Sequence, residues 1–518
     1  MDAWKRWSVL VGTLSICVCC IGAERPNILI LYADDLGYGD VQSYNPERGL
    51  IPTPAIDRLA AEGMSFTDAH SSSGVCSPSR YTLLTGRYHW RTRLQSGIVG
   101  LWEPPLIAAE RLTIGGVAQN AGYRTACVGK WHLGWDWPVA ESDRRLFREV
   151  IPNGGSASSE VQQIWNRVFS ERIAGGPITR GFSEYFGTDV PNWPPYCFIE
   201  GDRTVGVPST VLPPELLGNN QASQQGPALS GWSLEKILPA LTDRACRFLR
   251  ESAEQQQPFL LYVAFTSPHT PLAVNEEWRG RSGLNAYADL VMETDAAAGR
   301  ILETLQQLQL DKRTLVILTS DNGCAHYIDT AGLEQRGHFP SGGFRGYKSD
   351  AWEGGHRVPF IVRWPGVVQA GSTCARLIHQ ADVMATIADV LQQKPAADCA
   401  EDSFSLLPLL RGKDVVIREH AVSCSIRGVP ALRSGAWKYL PVSGSGGWTA
   451  GGDASQPVQL YHLEQDPGER ENLAGQQPEK VREMQLLLEQ LITQGRSSPG
   501  ERQPNDVRVR RHSSVPVE

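Results

Sequence analysis

No run of Lys or Arg long enough to track a phosphate backbone occurs in the 518 residues, and 49 basic against 56 acidic side chains leave a formal charge of −7. This balance argues against a nucleic-acid partner. No segment offers the ~18–20 consecutive apolar residues of a spanning helix, so a permanent membrane anchor is not expected. The mostly apolar stretch Trp7 to Ile21 is too short, follows Lys5 and Arg6, and runs into Gly22-Ala23. That is the layout of a signal peptide cut near Ala23, and it implies an exported protein. Ile16 precedes Cys17 where a lipidation site would want a small residue.

The cysteines lack a compact framework as well. Removing the leader takes away Cys17, Cys19 and Cys20, and leaves eight widely spaced cysteines that read mostly as free and buried, with one or two bridges left open. Internal repeats are missing. With 51 Gly and 34 Pro the chain is too rich in helix breakers to be mostly helical, while 41% hydrophobic residues suffice for a large core.

What is present is an alternation of strand and helix. β-Branched, apolar runs at Asn27–Ala33, Thr125–Gly129, Pro258–Thr266 and Thr314–Ser320 are each followed by polar residues and then a helical pattern. The stripe Tyr287, Leu290, Val291, Thr294, Ile301, Leu305 and Leu308 marks a helix crossing over between the last two. The expected fold is therefore α/β, with a large, mostly parallel sheet sandwiched by helices. Residues from about Trp135 to Gly231 are punctuated by Gly, Pro and Trp, show no sustained periodicity, and read as long loops. After about Arg411 short strands and a helix near Glu479–Leu491 suggest a smaller α+β unit. The expected organisation is a signal peptide over 1–23, a catalytic domain over 24–410, the small unit over 411–495, and a disordered tail over 496–518.

Chemistry enters where the strands end. Asp34-Asp35 closes the first run, Lys130 and His132 follow the second, His269 follows the third, and Asp321-Asn322 closes the fourth. In a parallel sheet these ends share one edge, where ligands bind. A lone Asp at such a point is more often a helix cap or turn former, so the joint placement is the signal. Oxygen ligands from Asp34, Asp35, Asp321 and Asn322 suit a hard cation such as Ca²⁺ or Mg²⁺. The segment Cys76-Ser77-Pro78-Ser79-Arg80 reads as a helix start, whose positive end would face an anion held near Cys76.

That segment, followed by Thr85-Gly86, resembles the signature of the type I sulfatases, in which the Cys becomes formylglycine. The likeness extends to Gly129-Lys130-Trp131-His132-Leu133-Gly134, Ser267-Pro268-His269, Ser320-Asp321-Asn322-Gly323, Gly346-Tyr347-Lys348 and Glu353-Gly354-Gly355-His356-Arg357, and is weakest between Trp135 and Gly231. The pattern is most similar to the arylsulfatase A and N-acetylgalactosamine-6-sulfatase group, on an alkaline-phosphatase-like fold. The resemblance implies one Ca²⁺ held by Asp34, Asp35, Asp321, Asn322 and the modified Cys76. It implies that Lys130, His269 and Lys348 hold the sulfate oxygens, while Arg80 and His132 position the formylglycine hydrate. It also implies a sulfated carbohydrate or aryl sulfate as substrate and a formylglycine-generating enzyme as maturation partner. The alternatives are a phosphodiesterase or phosphonate monoester hydrolase of the same superfamily, and a non-catalytic glycan-binding relative. Trp131, Trp135, Trp137, Trp193 and Tyr196 are candidates for stacking on sugar faces, or for packing in the core.

Overall fold

The computed structural model describes residues 25–152, 154–217 and 223–511, so the expected signal peptide over 1–23 lies outside the described residues. Strand Asn27–Asp34 pairs in parallel with Phe259–Pro268 on one side and Thr314–Ser320 on the other. Phe259–Pro268 continues in parallel to Arg124–Gly129 and on to Glu184–Gly187. Antiparallel strands flank this parallel centre, Phe360–Arg363 and then Met64–Phe66 on one side and Ile199–Glu200 on the other. Among the described residues the whole is a mixed sheet of ten strands.

The alternation of side chains along the central strands explains why both faces are covered. Ile28, Ile30 and Tyr32 enter one core, whereas Leu29, Leu31 and Ala33 enter the other. Helices Ile237–Gln255 and Ala286–Gln307 cover the second face, and helix Asp382–Val390 packs on the first. The Asn285 side chain caps helix Ala286–Gln307 by accepting from the Ala288 N–H at 3.0 Å. The expected α/β sandwich is thus observed. A separate antiparallel sheet of four strands, in the order His420–Cys424, Pro430–Ser434, Trp437–Leu440 and Gln459–His462, forms the smaller domain. Helix Pro478–Gln494 packs on it through Met484, Leu488 and Leu491.

Two expectations are corrected. The stretch read as loops contains the helix Ser159–Ser170, capped by Ser158 and buried along Val161, Ile164, Trp165, Val168 and Phe169. The tail read as disordered is placed as far as Arg511. Its Asp506 carboxylate takes two hydrogen bonds from Arg87, each 3.0 Å, and Asn505 accepts from Arg91 at 3.0 Å. Arg87 and Arg91 are buried and need acceptors, and the polar composition that resembled disorder supplies them. None of the eight described cysteines is paired in a disulfide.

Candidate active site

The four strand ends and one helix meet at the carboxyl edge of the sheet. Asp34 is the last residue of its strand, and the chain turns at once through Asp35, whose φ of 66° aims its carboxylate back across the edge. Gly129 ends its own strand so close to its neighbour that a Cβ would lie 1.8 Å from the Ala264 carbonyl oxygen. Only glycine allows this approach, which sets Lys130 against the adjoining strand end. Helix Cys76–Thr85 begins at Cys76 after an extended Val75, tolerates Pro78 in its first turn, and stops at Gly86 with φ 66°. Ser79 Oγ ties its start to the Ser73 and Val75 carbonyls, at 3.1 Å each. Every residue of this helix is buried, so Cys76 and, one turn later, Arg80 are held without freedom to reorient.

The polar side chains then interlock. Lys130 Nζ donates to Asp34 Oδ2 at 2.7 Å, and Arg80 donates to Asp321 Oδ2 at 2.8 Å and to the Lys130 carbonyl at 3.1 Å. Asn322 Nδ2 donates to Asp35 Oδ1 and Lys348 Nζ to Asp35 Oδ2, both at 2.7 Å. His269 Nε2 lies 3.7 Å from Asp35 Oδ2, and its Nδ1 meets the Thr270 carbonyl. His132 has φ 52°, receives support from Asp189 through its backbone N–H at 3.1 Å, and places Nε2 3.1 Å from the Val99 carbonyl. Each of the ten residues singled out from the sequence, Asp34, Asp35, Cys76, Arg80, Lys130, His132, His269, Asp321, Asn322 and Lys348, is buried here.

Burial governs the protonation of this cluster. It pushes the His132 imidazole down to about 3, helped by Lys130, and the His269 imidazole down to about 4, helped by Lys348. Burial also pushes Asp321 well above the usual carboxylate range, with the nearby Asp34 charge adding to it. For Asp34 burial is outweighed by Lys130, His269, Arg80 and Lys348, which hold it well below that range.

Among the ten site residues, the buried acceptors Asp34 Oδ1, Asn322 Oδ1 and His132 Nδ1 have no hydrogen-bond partner, and the donor Arg80 Nε has none either. Asp34, Cys76 and Asp321 present ligand atoms within 4.8 Å of one another, as do Asp34, Asp35 and His269. Bare carboxylate and amide oxygens beside further carboxylates are the donor set of a hard cation such as Ca²⁺ or Mg²⁺, which these residues fit.

Asp189 escaped the sequence reading. It follows strand Glu184–Gly187 and so obeys the same strand-end rule as the others, but that strand is only four residues long. Burial raises its carboxyl above the ordinary range. Of the proposed stacking aromatics, Trp131, Trp135 and Tyr196 are core residues. Trp137 is half-buried against Trp102, and Trp193 sets its ring 5.7 Å from that of His132.

A large mixed sheet between helices, with a buried cysteine at a helix start facing carboxylates and cations, defines a hydrolase of anionic esters on the alkaline-phosphatase-like fold. The particular family follows from comparison: residues 26–393 match the sulfatase family model, and the chain belongs to that family. It is 34% identical over 501 residues to an N-acetylgalactosamine-6-O-sulfatase of Bacteroides thetaiotaomicron, covering 91% of this chain and 94% of the relative. It is 32% identical to human arylsulfatase A over 504 residues, 90% and 89% of the two chains. A solved Bacteroides thetaiotaomicron structure from work on the metabolism of multiple glycosaminoglycans superposes with a TM-score of 0.75. The two are 31% identical, across 90% of this chain and 99% of that one. The chain is a sulfuric ester hydrolase, and its reaction is the hydrolysis of sulfate esters.

Proposed function

We propose that this sulfatase is an exported, Ca²⁺-dependent enzyme that uses formylglycine derived from Cys76 to release sulfate from a sugar of a sulfated polysaccharide. The observation that carries the reading is the pair of bare, buried oxygens, Asp34 Oδ1 and Asn322 Oδ1, at the same strand ends that face Cys76. Export rests on the leader pattern between Lys5 and Ala23; among the described residues no helix is long and apolar enough to cross a membrane. The sugar substrate rests on the similarity to the N-acetylgalactosamine-6-O-sulfatase.

In this reading Asp34, Asp35, Asp321, Asn322 and residue 76 hold the cation. When bound, the cation would withdraw charge from the ester oxygens, and the formylglycine hydrate would offer its hydroxyl as nucleophile. Lys130, His269 and Lys348 bind the sulfate oxygens, and Arg80 and His132 orient residue 76. Lys130, Lys348 and Arg80 are already fixed by carboxylates, so the positive field is set before substrate arrives. Neutral His269 keeps its proton on Nδ1 against the Thr270 carbonyl, so it serves as the acid only after taking up a second proton beside the bound anionic sulfate; His269 so charged, or Lys348, gives a proton to the leaving alcohol oxygen. His132 takes the proton whose loss lets sulfate depart. Its Nε2–H donates to Val99, so Nδ1 is the basic atom, neutral and without a partner.

The test is a panel of defined sulfated mono- and oligosaccharides and an aryl sulfate, assayed before and after chelation. Desulfation of at least one sugar, lost with chelator and restored by Ca²⁺, is the expected result. Full activity after prolonged chelation, or restoration by Zn²⁺ alone, would overturn the metal assignment.

A further inference from the structure

Among the described residues only two Trp, Tyr or Phe side chains are exposed, Tyr327 at 43% and Trp448 at 41%, and they touch. Their ring centroids lie 6.1 Å apart at 44°, with the exposed His326 ring against both. They come from different domains. Tyr327 sits on the turn His326–Ile328 just beyond Asp321-Asn322, and Trp448 on the loop joining strands Trp437–Leu440 and Gln459–His462 of the small domain.

Both are fastened to neighbours of the sulfate-facing residues. The Tyr327 hydroxyl hydrogen-bonds the Thr270 side chain, beside His269, and feels the charges of Lys348 and Asp35. The Trp448 N–H donates to Ser349 Oγ at 2.8 Å, beside Lys348, and the Thr449 N–H donates to Asp350 Oδ1 at 3.2 Å. Gly447 packs so closely that a Cβ would lie 2.4 Å from the Ser349 carbonyl oxygen, which locks the loop against this segment. Two tilted aromatic faces, held in place and left in water side by side, offer a flat apolar surface to a ligand.

The direction of the ester names that ligand. His269 and Lys348 are buried, so the sulfate enters inward and the alcohol it came from stays outward, toward the exposed rings anchored on the neighbouring Thr270 and Ser349. We propose that Tyr327 and Trp448 form a stacking platform for the pyranose ring that carries the sulfate, so that the small domain supplies part of the substrate subsite. This rests on the sugar-sulfate reading above. A pyranose presents an apolar C–H face to such a platform, and a rigid aromatic pair costs little ordering on binding.

The test compares Trp448→Ala, Trp448→Phe and Tyr327→Ala with the wild type on the sulfated sugars of the panel, N-acetylgalactosamine 6-sulfate first, and on inhibition by inorganic sulfate. Trp448→Ala should raise KM about ten-fold, as expected for loss of one aromatic contact, with kcat within about two-fold. Trp448→Phe should recover most of the loss. The inhibition constant of inorganic sulfate, which has no ring, should not move. Unchanged KM in both alanine variants, or a matching rise in the sulfate inhibition constant, would overturn the platform while leaving the sugar reading standing. A wild type that cleaves aryl sulfate and no sugar of the panel would overturn both.

Discussion

The carboxyl edge of the sheet and the seam between the two domains each gather three carboxylates with three cationic groups, largely out of water. At the seam these are Asp68, Glu353 and Glu469 with Arg357, Arg433 and Lys438; at the edge they are Asp34, Asp35 and Asp321 with Arg80, Lys130 and Lys348. Charge balance does not separate them. The oxygens do. Five of the six carboxylate oxygens at the seam accept a hydrogen bond, from His70, Arg433, Lys438, Arg357 or the Glu353 N–H, and the sixth, Glu469 Oε1, has no hydrogen bond but lies 2.8 Å from the Lys438 ammonium. His70, Glu353 and His356 there resemble a metal site in their donor types, yet the Lys438 ammonium lies 2.9 Å from Glu353 and 3.3 Å from His356 Nε2, where an ion would need to be. At the edge Asp34 Oδ1 has only Arg80 at 3.5 Å, and Asn322 Oδ1 has no hydrogen-bond partner. A buried ionic cluster whose carboxylate oxygens each meet a cation or N–H at contact distance is a joint, whereas one with oxygens left out of contact is built to receive something.

Substitutions on either side should therefore fail differently. Asp321→Ala should lower turnover by about a thousand-fold or more and abolish Ca²⁺ uptake in calorimetry. Its melting temperature without metal should stay within a few degrees of the wild type, because Arg80 keeps the Asp34 carboxylate at 3.5 Å and the Lys130 carbonyl at 3.1 Å. A large loss of stability with the metal still bound would erase the distinction. Lys438→Met should do the reverse, costing about 3–5 kcal/mol in denaturant unfolding by stranding Glu353 and Glu469, with kcat per folded molecule nearly unchanged.

In the proposed mechanism the two histidines divide the reaction. General acid help matters most for a poor leaving group, so His269→Ala should cut sugar-sulfate turnover by about a hundred-fold and nitrophenyl-sulfate turnover much less. His132→Ala should slow both about equally and let sulfated enzyme accumulate, detectable by mass. Equal losses for both substrates in His269→Ala, without a trapped adduct in His132→Ala, would reverse the assignment. The smallest effect belongs to the tail: Asp506 is half-exposed, and Asp506→Ala should cost only about 0.5–1 kcal/mol, read as a small fall in melting temperature with activity intact.

Much of this edge could be read before the fold was seen, because its residues follow strands that announce themselves. Asn27–Asp34 and Thr314–Ser320 are unbroken apolar runs buried on both faces, and a polar pair directly after such a run has few places to go. Helix Ala286–Gln307 was legible from its stripe for the same reason. Helix Ser159–Ser170 carried an equally regular stripe, from Val161 to Phe169, but lay among Gly-Gly and Pro-rich turns that drew the reading toward loop. The ordered tail was not legible, since its partners are buried arginines some 400 positions earlier whose need for acceptors is a tertiary fact. Likewise nothing in Trp131 or Trp135 distinguishes a core ring from a binding ring, and the pairing of Tyr327 with Trp448 joins two domains.

The central claim is that Cys76 works at this edge as formylglycine rather than as a thiol. Mass spectrometry of the peptide containing Cys76, measured on the same preparations whose sulfate-ester turnover is assayed, tests it most directly. The account predicts a species about 18 Da lighter than the cysteine form, or its hydrate, whose fraction rises in proportion to kcat across preparations converted to different extents. Full turnover from protein in which residue 76 is entirely cysteine would contradict it.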